Sequence, residues 1–151
     1  MNLFRGTRFT LIAGLLVACS SDGVVGPSGR FDHAVATYTC GPAGGSALAI
    51  YLAPDPITSL EPSGVYVRVY VARTIDEIRG ARLPISSQSD AAAWFHSNVD
   101  DSEIATGGYL MVGSGIAGET ITGLVDLQFP TAGHVHGTFS AEWVPATVGC
   151  I

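Results

Sequence analysis

The sequence predicts an all-β domain: an antiparallel β-sandwich, with an up-and-down barrel as the alternative, carrying one short helix. Three observations lead there. Several segments alternate apolar and polar residues with the strict two-residue period of a half-buried strand. Charged residues make up only 13% of the chain, too few for the polar faces of a helical bundle, while glycine is abundant at 19 residues. Clusters of Gly and Pro divide the chain into seven or eight short strands, the punctuation of a sandwich or barrel.

The elements follow in chain order. Phe31 to Thr39 is a weak strand candidate. Leu48, Ile50 and Leu52 alternate clearly and end at the Pro54-Asp55-Pro56 break. Gly64 to Arg73 is the clearest strand: Val65, Val67, Val69 and Val71 take one side, Tyr66, Arg68 and Tyr70 the other. Thr74-Ile75-Asp76-Glu77 matches a capping box and Gly80 offers a stop, so one short helix is expected with Ile75 and Ile78 inward. Ala91 to Ser97 and Tyr109 to Val112 are further weak strands, and Gly113-Ser114-Gly115 reads as a kink or turn. Ile121, Val125, Leu127 and Phe129 form one more apolar row. Val135, Phe139, Ala141 and Trp143 form the last, with His134, His136, Thr138, Ser140 and Glu142 on its opposite face.

The N-terminus has the parts of an export signal. Arg5 and Arg8 supply positive charge, and Phe9 to Ala18 supply a short apolar stretch ending in a small residue. Ten helical residues rise only about 15 Å, half the hydrocarbon core of a bilayer, so this segment is a signal peptide and not an anchor. Leu16-Val17-Ala18-Cys19 resembles the lipobox of bacterial lipoproteins at all four positions. The resemblance covers only this N-terminal stretch. It implies cleavage before Cys19, a diacylglyceryl thioether on that cysteine, and a further acyl group such as palmitate on the new amino terminus. Multiple acyl chains anchor firmly, since each buried CH₂ contributes about 0.8 kcal/mol. Ordinary signal-peptidase cleavage, releasing a free secreted protein, is the competing reading. Ser20 follows Cys19 where an aspartate would favour inner-membrane retention in the diderm bacteria from which that sorting rule comes, so the outer membrane is expected in such a host.

Three cysteines in an exported protein leave one to explain. Lipidation accounts for Cys19, and Cys40 and Cys150 are then expected to form a disulfide, which persists outside the cytoplasm. The expected organisation is a signal peptide at 1–18, a lipidated cysteine and Gly/Ser/Pro-rich spacer at 19–29, and one β domain at 30–151. Cleavage removes two arginines, leaving five against thirteen acidic residues, a formal charge of −8, and the chain contains no lysine. That balance excludes phosphate-driven nucleic-acid binding and electrostatic docking to anionic lipid.

Chemistry-bearing patterns are few. His134 and His136, two apart on a strand, project to one face as paired metal-ligating imidazoles do. Asp126 joins them if a three-residue loop, Pro130 to Ala132, sets it opposite His136; a five-residue loop sets it opposite Thr138 instead. A polar strand face with no ligand is the simpler explanation of the same residues. Asp100-Asp101-Ser102-Glu103 clusters oxygen ligands of the kind calcium prefers but lacks EF-hand spacing, so a solvated turn is expected there. Tyr66, Arg68 and Tyr70 form an aromatic strip with an arginine, the composition of binding hot spots and sugar-stacking platforms. No nucleophile elbow, phosphate loop or dinucleotide fingerprint is present. The expectation is therefore a lipid-anchored cell-envelope protein acting as a non-catalytic binding or structural module, with an envelope protein or glycan as partner and no cofactor. The alternatives are a divalent-metal protein or metal-dependent enzyme at His134/His136, and a carbohydrate or small-ligand binder at Tyr66, Arg68 and Tyr70.

Overall fold

The computed structural model describes residues 23–41, 44–60 and 62–145. Cys19, Cys150 and the signal peptide lie outside the described residues, as does the spacer up to residue 22. The strands are β1 (Val24–Gly26), β2 (Gly29–Phe31), β3 (His33–Cys40), β4 (Ser46–Ala53), β5 (Tyr66–Val71), β6 (Arg82–Pro84), β7 (Ala91–His96), β8 (Ser102–Ile104), β9 (Gly107–Ser114), β10 (Ile121–Phe129) and β11 (Gly133–Trp143), with α1 (Ile75–Ile78) between β5 and β6.

The fold is all-β, as the alternation predicts. Its eleven strands form one curled, open sheet in the order β6-β9-β10-β11-β3-β4-β5-β7-β8, with β1 paired to β11 and β2 to β1. The two halves of the sheet are joined by a two-residue parallel ladder, Glu142 opposite Val35 and Trp143 opposite Ala36. They close over a shared core. Leu48, Ile50, Val67 and Val69 come from one half, and Leu110, Val125, Leu127 and Phe129 from the other. Phe95 meets Phe129 edge-on across the curl at 5.7 Å between centroids. In place of the two separate sheets of the expected sandwich there is one continuous sheet, curled into a half-barrel.

Each clear apolar row points inward. Val67, Val69 and Val71 are fully buried while Tyr66, Arg68 and Tyr70 face out, half-buried. On β11 the row of Val135, Phe139 and Ala141 is buried, and His134, His136, Thr138, Ser140 and Glu142 are exposed. Helix α1 is a single turn with Ile75 and Ile78 buried. The Glu77 carboxylate accepts hydrogen bonds from the Thr74 N–H at 2.7 Å and the Thr74 hydroxyl at 3.0 Å. These bonds, backbone first, hold the Glu77 carboxyl below its ordinary pKa. β9 ends at Ser114, and the β9–β10 register shifts between Thr122 and Gly123, so the kink expected at Gly113-Ser114-Gly115 is an irregularity in the ladder.

The spacer reading needs correction at its C-terminal end. Val24–Gly26 and Gly29–Phe31 form a hairpin around Pro27-Ser28, and Val24 and Phe31 pair and enter the core. Turn-forming Gly, Ser and Pro here serve a hairpin, and composition cannot tell that from a flexible run. The hairpin docks where β11 carries Gly137, at φ +140°. A Cβ there would lie 2.2 Å from the Gly23 carbonyl oxygen, so only glycine admits β1 so close.

Strand β4 is buried on both faces. Its outward residues Ala49 and Tyr51, with Val35 of β3, form a second small cluster beneath Ile57 and Leu60 of the following loop. That loop roofs part of the outer surface, and the outward residues of the neighbouring β5 and β7 are half-buried.

Candidate binding face and histidine pair

The β10–β11 loop has three residues, and Asp126 sits opposite His136 and Gln128 opposite His134. This is the register that gathers both histidines and the aspartate on one face. The side chains do not converge on a common point. His134 Nε2 lies 3.0 Å from Asp126 Oδ1, which accepts its hydrogen bond. The two imidazoles stack, 4.4 Å apart and 18° from parallel. Stacked rings keep their in-plane lone pairs in separate, near-parallel planes, whereas a tetrahedral metal needs ligands that meet at one point. Among the described residues no group of three or more His, Cys, Asp or Glu side chains is placed to hold a metal ion.

The acidic turn is occupied by its own structure. The Asp101 carboxylate accepts from the Ser97 hydroxyl at 2.7 Å, and the Asp100 N–H donates to the Asn98 side chain at 2.9 Å. Glu103 reaches the β10–β11 loop, where its carboxylate accepts the N–H groups of Thr131, at 2.8 Å, and of Ala132. It ties edge strand β8 to the opposite half of the sheet.

The face around Arg68 is built by register. A transverse row runs Val35, Tyr51, Arg68, Trp94, Ile104 across five strands. The next row pairs Tyr66 with His96, whose rings stack at 4.2 Å and 7°. The Arg68 guanidinium lies 5.8 Å from the Tyr51 ring centroid, within cation–π range. Arg30, Arg73 and Arg79 each pair with an aspartate, and Arg82 lies over the Tyr109 ring at 3.7 Å. Arg68 has no carboxylate partner among the described residues. Its Nε and the Tyr70 hydroxyl are buried polar atoms with no hydrogen-bond partner among the described residues, a costly arrangement.

Two titrating groups on this face report its environment. Burial pushes the Tyr70 phenol above its ordinary pKa, with the Arg68 charge opposing. Burial, and then the Arg68 charge, push His96 below its ordinary value. His96 therefore favours its neutral form in the folded protein. The unfolded chain binds its proton first as pH falls, so this contribution is complete above about pH 6.5 and lost as pH drops toward the folded pKa. The melting midpoint is expected to fall between pH 7 and 5, and less steeply in His96→Phe, which keeps the stack on Tyr66 without the titration. Parallel pH profiles for the two proteins would contradict this assignment.

No known protein family, curated protein or solved structure matches this chain. The site therefore rests on its own geometry. Tyr66, Arg68 and Tyr70 share the outward face that the alternation assigns them, and Tyr51, Trp94 and His96 join them there. Their parity places each on an outward face, but joining them requires knowing that β4, β5 and β7 are neighbours, and only the sheet order supplies that.

Proposed function

We propose that this protein is a lipid-anchored binding module of the bacterial cell envelope, held through acylated Cys19 and stapled by a Cys40–Cys150 disulfide. The surface around Tyr66, Arg68 and Tyr70 takes a carbohydrate or similar small ring ligand. The outer membrane is its site in a diderm host. The lipobox resemblance supports the anchor. The direction of β11 supports the staple: it runs parallel to β3, and the Val144 N–H bonds the Ala36 carbonyl at 2.8 Å. The chain thus heads along β3 toward Cys40, and the six residues that follow Val144, ending at Cys150, span up to about 21 Å, enough to reach it.

The observation that carries the binding reading is Arg68, a half-buried guanidinium among aromatic rings, with an unsatisfied Nε and no carboxylate partner among the described residues. Ring faces stack sugars while arginine donates to acidic or hydroxyl oxygens. Trp94, directly across from Arg68, supplies the readout. Titration with glucuronic acid is expected to change tryptophan fluorescence saturably, and Arg68→Ala and Tyr66→Ala to weaken binding at least about tenfold, the worth of one charge-assisted hydrogen bond. Unchanged affinity in both variants, with melting confirming that they fold, would remove the face from the reading.

A further inference from the structure

Along the edge facing away from β10, β11 changes partners. It pairs with β1 at His136 and Gly137 and with β3 at Glu142 and Trp143. Among the described residues no strand pairs with Thr138–Ala141 on that edge. A cleft of about 600 Å³ opens there. Its walls combine the outward side chains of Met111, Leu124 and Thr138 with Phe31, Ala34 and Phe139, which belong to the core or pack against it. The lining thus joins outward side chains of β9, β10 and β11 to core residues beside the break between β1 and β3. The cleft's volume lies within the range of small-molecule sites, and its lining is largely apolar. Among the described residues the one charged side chain lining the cleft, Asp32, is paired with Arg30 at 3.0 Å.

Gly23, the first described residue, is itself part of the cleft wall. It stands four residues after Cys19, and four residues span at most about 14 Å. An acylated Cys19 therefore holds this cleft against the bilayer surface, within about half a hydrocarbon thickness. We propose that the cleft receives one acyl chain of a bilayer phospholipid, so that the domain samples lipid from the membrane that anchors it. The proposal rests on the lipid-anchor reading and is independent of the Arg68 face. An acyl chain fits these walls because they are largely apolar, while the Arg30 guanidinium, ion-paired with Asp32, stands beside Gly23 at the rim. A peptide occupant would instead need the unpaired β11 edge alone to provide its specificity.

The test uses the full chain expressed in a bacterial host with tritiated palmitate, then reconstituted in phosphatidylcholine vesicles containing a phospholipid with a diazirine on one acyl chain. Palmitate at Cys19, with photolabel mapping to residues 31–34, 111–113, 122–124 or 138–140, is the expected result. Thr138→Trp fills the mouth from an exposed strand position that tolerates an aromatic residue, and it is expected to abolish that label with palmitate retained. Palmitate on Cys19 without label in these segments, or label that persists in Thr138→Trp, overturns the acyl-chain proposal and leaves the anchor intact. Absence of palmitate from Cys19 overturns the anchor and the proposal with it.

Discussion

Replacing Cys150 by serine is expected to lower the melting midpoint by about 10 °C. A bridge from Cys40 to Cys150 closes almost the whole domain, and a loop of roughly 100 residues is worth about 4.7 kcal/mol in the chain-entropy model. Native disulfides deliver less in practice, about 2–4 kcal/mol, and a domain of this size shifts by roughly 4 °C per kcal/mol. Among the described residues the halves of the sheet meet through two residue pairs at the β11–β3 junction, and a staple beyond them opposes fraying of the ladder that joins the halves. Differential scanning calorimetry of the wild type, the wild type under reductant and Cys150→Ser checks this. The last two are expected to melt together, well below the first. Coincidence of all three transitions, or two reactive thiols besides Cys19 in the native protein, would dismiss the bridge.

The second large effect concerns two adjacent glycines. Gly107→Ala is expected to change stability by no more than about 0.5 kcal/mol, while Gly108→Ala costs at least about 3 kcal/mol. Both lie in β9. A Cβ on Gly107 meets nothing within 4 Å. On Gly108, at φ +121°, it would lie 1.9 Å from the Asp126 carbonyl oxygen and press on the β10 backbone. Relief requires moving β10, which carries Asp126 on one face and Leu127, fully buried, on the other. Gly108→Ala therefore melts about 12 °C lower at roughly 4 °C per kcal/mol, and it disturbs the Asp126–His134 contact as well. Chemical denaturation of the two variants side by side decides the matter; equal midpoints would refute it.

How much of the domain was legible varies with the length of each pattern. The rows of β5, β10 and β11 were readable because five or more alternating positions record which side chains leave water. The capping box at Thr74 and the three-residue loop at Pro130–Ala132 were readable because their chemistry is local. Three-residue β1, β6 and β8 were not, since so few positions carry no period. β1 was further disguised by the glycine and proline of its own hairpin. β4 reads as a one-sided strand in Leu48, Ile50 and Leu52, yet its other face is also covered, by Ile57 and Leu60 of a loop with no period at all.

The candidate sites divide in the same way. Strand parity alone put His134 and His136 on one side, and Tyr66, Arg68 and Tyr70 on another. It cannot say how side chains turn once there, and the rings of His134 and His136 stack while Asp126 takes a single imidazole. Nor does it name neighbours from distant segments, so Tyr51, Trp94 and His96 joined Arg68 only when β4, β5 and β7 were seen side by side. The sequence by itself determined the all-β class, the inward and outward faces of the long strands and the resemblance at Cys19, because periodicity and short motifs are written within a few residues. The curl into one open sheet, the partner exchange along β11, the cleft it leaves and the company around Arg68 were decided by tertiary structure, because each depends on contacts between segments that no local pattern records.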